Sequence, residues 1–210
     1  MLNLDTEQKI FAQGYKYIAG VDEAGRGPLA GPVVAACVII DQNFRISNEQ
    51  LELIKDSKKL SAKKRLQLFP LIKKSVTAVE IGLCSHNTID KINILQASFL
   101  AMKRALERLI IKPDFVLVDG KFPIPKLEYE QQAIIDGDAK VFSIAAASII
   151  AKVSRDWLME EMAKKYPEYL FEKHKGYGTK IHLEKIQEFG PSPIHRLSFE
   201  PLKTWFNKKN

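Results

Sequence analysis

Ile18-Ala19-Gly20-Val21-Asp22-Glu23-Ala24-Gly25-Arg26-Gly27-Pro28-Leu29-Ala30-Gly31-Pro32-Val33-Val34 is the stretch on which the reading of this chain turns. An apolar run, Tyr17–Val21, ends in two adjacent carboxylates. A Gly-Arg-Gly turn follows, and a second apolar run, Val33–Ile40, starts soon after. Both runs are rich in β-branched residues and bounded by turn signals, so they read as strands. Only the glycine-rich turn separates them, which predicts an antiparallel hairpin. Carboxylates at the mouth of a buried strand suit hard divalent cations, which prefer oxygen ligands. The glycines remove side chains that would keep a ligand off the backbone, and Arg26 offers a planar fork suited to phosphate. The combination points to metal-assisted chemistry on a phosphodiester.

Outward from the hairpin, Ser61–Ser75 reads as a helix with Ser61 as N-cap, kinked or ended at Pro70. Val76–Leu83 reads as a third strand. Asn87–Leu109 carries Ile92, Leu95, Phe99, Met102, Leu106 and Leu109 at helical spacing. Phe115–Val118 and Gln132–Ile135 read as short strands, and Ser143–Tyr166 as a long helix. Beyond a Gly176-Tyr177-Gly178 turn come a helix over Lys180–Phe189 and a short amphipathic stretch, Phe199–Phe206. Strands first, then strand and helix in alternation, argue for an α/β fold: a mixed sheet flanked by helices, with a helical C-terminal appendage. No composition break marks a second independent domain.

The chain has 210 residues, 46% of them apolar, and a formal net charge of +7. That allows a substantial core, and a basic balance fits a polyanionic partner, although a lysine-rich enzyme with solvated faces has the same composition. Cys37 and Cys84 lie in apolar runs and read as core residues, not as a disulfide. No signal-peptide pattern or membrane-length apolar run is present. A cytoplasmic protein is expected.

Carboxylates recur where strands end: Asp22 and Glu23, then Asp119, then Asp136 and Asp138. Any one of them could simply open a turn. Converging, they would hold one or two Mg²⁺ or Mn²⁺ ions, and two ions roughly 4 Å apart can activate water and stabilise a leaving oxygen. Asp22 and Glu23 would point to opposite faces of a regular strand, so both serve one site only if the strand twists or ends there. The stretch Ala24–Gly31 also resembles a phosphate-cradling loop, but it leads into a strand where a dinucleotide fingerprint needs a helix, and Gly31 falls one residue late. Lys58 and Lys59, in a turn before a helix, are candidate phosphate contacts; Lys63, Lys64 and Arg65 read equally as a solvated face. Tyr177, between glycines and flanked by cations, could stack on a sugar or base, or be a partly buried turn tyrosine. His174, His182 and His195 read as surface or structural residues, and the histidines and cysteines lack zinc-type spacing.

These residues resemble type 2 ribonuclease H, specifically the bacterial ribonuclease HII enzymes. The resemblance rests on Val21–Val34, Asp56–Leu60, Val118–Gly120, Gly137-Asp138, Ala145–Val153 with Arg155-Asp156, and Gly176–Thr179 with His182, in the family's order. It implies a ribonuclease H-like fold and endonucleolytic cleavage of RNA in RNA–DNA hybrids. Substrates would include single ribonucleotides embedded in duplex DNA, cut on their 5′ side to leave 3′-hydroxyl and 5′-phosphate ends. Roles in ribonucleotide removal and RNA primer degradation would follow.

By motif position, Asp22, Glu23, Asp119 and Asp138 resemble the four metal-binding carboxylates, for Mg²⁺ or Mn²⁺. Gly25, Arg26 and Gly27 resemble the loop that senses the ribose 2′-hydroxyl, and Tyr177 the tyrosine that stacks on the sugar beyond the junction. Lys58, Lys59 and Ser148 would contact phosphate or backbone. Asp136 departs from the family pattern, which often has a basic residue there. The resemblance further implies a single catalytic domain whose C-terminal part, from about residue 167, completes the substrate groove. A monomer is expected, and Phe199–Phe206 reads as a packed terminal helix more readily than as a peptide that binds a sliding clamp. An inactive binding module, another metal nuclease of the same fold and a nucleotide-binding enzyme are the competing readings.

Overall fold

The computed structural model describes residues 4–46, 54 and 60–206. Strands β1 (Tyr17–Ala24) and β2 (Val33–Asp41) form the expected antiparallel hairpin, in register from Tyr17 opposite Asp41 to Ala24 opposite Val34. β3 (Ala78–Cys84) pairs antiparallel with β2. β4 (Phe115–Asp119) runs parallel to β1, and β5 (Glu130–Ile134) parallel to β4. The sheet order is β3-β2-β1-β4-β5, so β1 and β4, side by side, both end in carboxylates at the same edge. Helices α1 (Asp5–Phe11), α2 (Ala62–Ser75), α3 (His86–Ile92) and α4 (Ile94–Arg108) precede β4; α5 (Gly137–Lys140), α6 (Phe142–Lys165), α7 (Phe171–His174), α8 (Lys180–Phe189) and α9 (Leu202–Phe206) follow β5.

Alternation along β2 divides the core. Val33, Ala35, Cys37 and Ile39 face one side with Ala97, Ala101, Met102 and Ala105 of α4. Ala36, Val38 and Ile40 face the other with the small residues of α6 and with Leu68 and Ile72 of α2. A buried strand with apolar residues on both faces is what a sheet covered by helices on each side requires. Gly20 lets α6 lie directly on β1, since a Cβ there would fall 2.5 Å from the Ser143 carbonyl oxygen.

One expectation needs correction, and a second narrows. The helix read over Asn87–Leu109 is broken at Asn93, whose φ of 64° lies outside the helical region; its side chain then accepts from the Gln96 amide and caps α4. Pro70 does not end α2, which runs on to Ser75. The proline sits on the exposed face of the helix. Ser61 does cap the helix, accepting from the Lys64 amide. Beyond α6 the chain folds back onto the hairpin turn, and Leu29 is buried with Ile186 and Leu202.

Candidate active site

Parallel pairing of β1 with β4 puts Val21 level with Val118. Asp22 and Asp119, the next residues, therefore emerge together at the carboxyl ends of two adjacent parallel strands, where open α/β sheets place their ligands. A cleft of about 460 Å³ opens there, lined by Asp22, Glu23, Gly25, Arg26, Gly27, Asp119, Ser148 and Tyr177, with Ala24, Arg65 and Lys152. Both carboxylates of the Asp22-Glu23 pair reach it because regular strand ends at Ala24 and Gly25 turns with φ of 97°.

Burial, followed by the negative charges of Glu23 and Asp119, holds the Asp22 carboxyl well above the usual carboxylate range; hydrogen bonds from Ser148 and from the Glu23 amide, the latter 2.6 Å, oppose the shift. Burial also raises Glu23, against the pull of Arg26, whose Nη1 lies 3.1 Å from Oε1. Asp119 Oδ1 accepts from the amides of Gly137 and Asp138, at 2.7 and 3.4 Å. This ties β4 to the first turn of α5. Asp138 is thus beside Asp119 and only 2% exposed, but it is not part of the cleft lining. Asp136 is exposed and takes a left-handed conformation just before α5. Lys58 and Lys59 lie outside the described residues.

Tyr177 is 42% exposed, and its ring faces Gly27. Lys152 Nζ stands 5.7 Å from the ring centroid and 2.7 Å from Asp156. Lys152 follows Ser148 by one helical turn, so the two share a face of α6; that spacing was the available signal for Lys152. Arg65, left open above, points into the cleft while its guanidinium also bonds the Leu60 carbonyl.

His174, His182 and His195 are buried in a stack behind Tyr177. Their bonds fix one consistent set of tautomers. The Ser192 amide donates to His195 Nδ1 (2.8 Å), so His195 Nε2 carries the proton given to His182 Nε2 (3.0 Å), and His182 Nδ1 donates to the Tyr177 carbonyl (2.8 Å). Burial pulls His182 down to about 4 and His195 to about 3, keeping both neutral. Their role is structural, at the base of the tyrosine turn.

A family model for ribonuclease HII matches residues 19–202. The chain belongs to the ribonuclease HII family. It is 55% identical to the ribonuclease HII of Caldicellulosiruptor bescii over 195 residues, 93% of this chain and 92% of that one. It is 54% identical to that of Bacillus pumilus over 202 residues, 96% of this chain and 76% of the relative. Among solved structures, ribonuclease H2 from Pyrococcus horikoshii aligns with a TM-score of 0.71 at 33% identity, covering 90% and 96% of the two chains. The ribonuclease HII of the PCNA complex from Archaeoglobus fulgidus aligns at 0.71 and 28%, covering 87% and 95%. The fold is therefore ribonuclease H-like, and the chain is a divalent-metal-dependent ribonuclease H acting on RNA–DNA hybrids.

The donor set suits a divalent cation: all oxygen, acidic, and mutually repelling in a way that a bound cation relieves. As the side chains stand, no three His, Cys, Asp or Glu among the described residues form a closed ligand group. Glu23 is turned onto Arg26, and one Asp119 oxygen is committed to α5. No helix among the described residues is long and apolar enough to cross a membrane.

Proposed function

We propose that this ribonuclease HII cuts at RNA–DNA junctions, including single ribonucleotides embedded in duplex DNA, on the 5′ side of the ribonucleotide. The observation that carries this reading is one cleft lined at once by Asp22, Glu23 and Asp119, by the Gly25–Gly27 turn, and by Tyr177. Asp22, Glu23, Asp119 and Asp138 would hold Mg²⁺ or Mn²⁺, which when bound supplies charge to polarise the scissile phosphate and to make water nucleophilic. Such hydrolysis leaves 3′-hydroxyl and 5′-phosphate ends.

The side chains supply the selection. A ribose 2′-hydroxyl is a donor and acceptor that DNA lacks, and a glycine turn lets backbone amides reach it. Tyr177 packs on the next sugar and favours deoxyribose, because an added hydroxyl would crowd the ring. Arg26, freed when Glu23 turns away, holds a phosphate, as do Arg65 and Lys152. Ser148 keeps its hydroxyl on Asp22, and Lys58 and Lys59 contact the phosphate backbone. The C-terminal residues from about 167 complete the groove by carrying Tyr177. In the cell this activity serves ribonucleotide removal and primer degradation.

The test compares labelled duplexes with one ribonucleotide, with none, and with a continuous RNA strand. Preferred single cuts 5′ of the ribonucleotide, with the all-DNA duplex intact, support the reading. Cleavage of the continuous hybrid alone, or of all three, overturns it.

A further inference from the structure

Arg155 and Arg196 are fully buried cations, and they stand out because their fork-shaped donors go to backbone carbonyls. Arg196 donates from Nη2 to the Gly25 carbonyl (2.7 Å), from Nη1 to Arg26 (2.9 Å) and from Nε to Gly31 (3.0 Å). Arg155 donates from Nε to Pro32 (3.0 Å), from Nη2 to Ala30 (3.1 Å) and from Nη1 to Lys175 (3.0 Å). Burying a charge is unfavourable unless it is fully hydrogen-bonded. All three nitrogens of each guanidinium donate, to carbonyls at both ends of the Gly25–Pro32 loop, and Arg155 extends the grip to the turn that carries Tyr177.

Further contacts tie the loop to the C-terminal part, one of them directly to the tyrosine turn. The Leu29 amide donates to the Gly176 carbonyl (2.8 Å), the Gly31 amide to Ile194 (2.9 Å) and the Arg196 amide to Leu29 (2.8 Å). The Arg155 guanidinium carbon lies 5.8 Å from the Tyr177 ring centroid, within cation–π range. Gly25 has no room for a side chain: a Cβ would fall 2.5 Å from Arg155 Cδ and 2.8 Å from the Pro32 carbonyl oxygen. Peptide geometry then dictates orientation. In a trans peptide the N–H points opposite to the preceding C=O. With the Gly25 and Arg26 carbonyls drawn inward to Arg196, the amides of Arg26 and Gly27 face away from it, on the cleft side.

We propose that Arg155 and Arg196 are positioning residues for substrate selection: they fix the Gly25–Gly27 turn against the Tyr177 turn and so set the spacing between the groups that read the ribose and the sugar beyond it. The proposal rests on the junction reading above. A buried lysine in either place keeps the charge but offers no planar fork, so it cannot hold two carbonyls of the turn in register.

The experiment measures kcat and KM of Arg196→Lys and Arg155→Lys on the single-ribonucleotide duplex and on the continuous hybrid, with melting and amide hydrogen exchange on the same samples. In a folded variant the ratio of kcat/KM between the two substrates falls about tenfold to a hundredfold, the scale of a misplacement of about 1 Å. Amides of residues 25–31 exchange faster while those of β1 do not. Equal losses on both substrates, or an unchanged ratio in both folded variants, overturn the proposal. So does failure of both to fold, since the arginines would then serve the fold alone. A wild-type protein without junction preference refutes the junction reading itself, and this inference with it; preference kept by both variants refutes only the inference.

Discussion

Replacing Gly20 by alanine tests whether sheet packing sets catalytic geometry. The new Cβ would stand 2.5 Å from the Ser143 carbonyl oxygen and nearer still to Ser143 C and the Ile144 nitrogen. A carbon–oxygen contact becomes comfortable at about 3.3 Å, so α6 must back away from β1 by about 1 Å. Every atom concerned is backbone, so no side chain can rotate to relieve the overlap. Overpacking of this kind costs about 1–3 kcal/mol. The displacement reaches the site because Ser148, whose hydroxyl bonds Asp22, and Lys152 ride on the same helix. A shift of about 1 Å in a positioning element can lower activity about 100-fold. Urea denaturation gives the first quantity, and initial rates on a ribonucleotide-containing duplex, measured well below the denaturation midpoint, give the second. A Gly20→Ala protein of unchanged stability and full rate would refute the claim that the glycine holds α6, and with it the site, in place.

Asp22→Asn replaces a carboxyl whose ionised form burial and two like-charged neighbours disfavour, so the variant should melt no lower than wild type in EDTA; a drop of more than about 1 kcal/mol would contradict that unfavourable setting. Tyr177→Ala, at a half-exposed ring, should leave the urea midpoint nearly unchanged while lowering the junction-to-hybrid rate ratio about tenfold; an unchanged ratio would remove Tyr177 from selection. Acid should destabilise the C-terminal part. His182 and His195 titrate lower in the folded chain than the ordinary ~6.5 of an unfolded one. The unfolded state therefore binds more protons below pH ~6.5, and stability falls from there down towards pH 3. By pH ~4.5 the loss should be on the order of a few kcal/mol, or roughly 10 °C in Tm; equal Tm at pH 7 and 4.5 would refute it.

The hairpin was legible because β-branched runs flank a turn made of glycines, and the α6 helix because its small and apolar residues run unbroken. The break at Asn93 was not, since one residue at positive φ leaves the apolar spacing on both sides intact. Carboxylates at strand ends were visible one by one. Their meeting depends on the parallel register of Val21 with Val118, which no local pattern encodes. Arg155 and Arg196 were the least legible, because an arginine that grips carbonyls more than a hundred positions away leaves no mark on its neighbours. The histidine stack was hidden for another reason: its members, eight and thirteen positions apart, meet only through the turns between α7, α8 and the segment after it.

The most direct measurement follows one labelled duplex with a single ribonucleotide, treated with wild type and with Asp119→Asn, in EDTA, Mg²⁺ and Mn²⁺. Metal-dependent hydrolysis at this cleft implies cutting by wild type only with a divalent ion, no cutting by Asp119→Asn under any condition, and binding of the duplex by both. Cutting in EDTA, or a wild-type rate from Asp119→Asn, would contradict it.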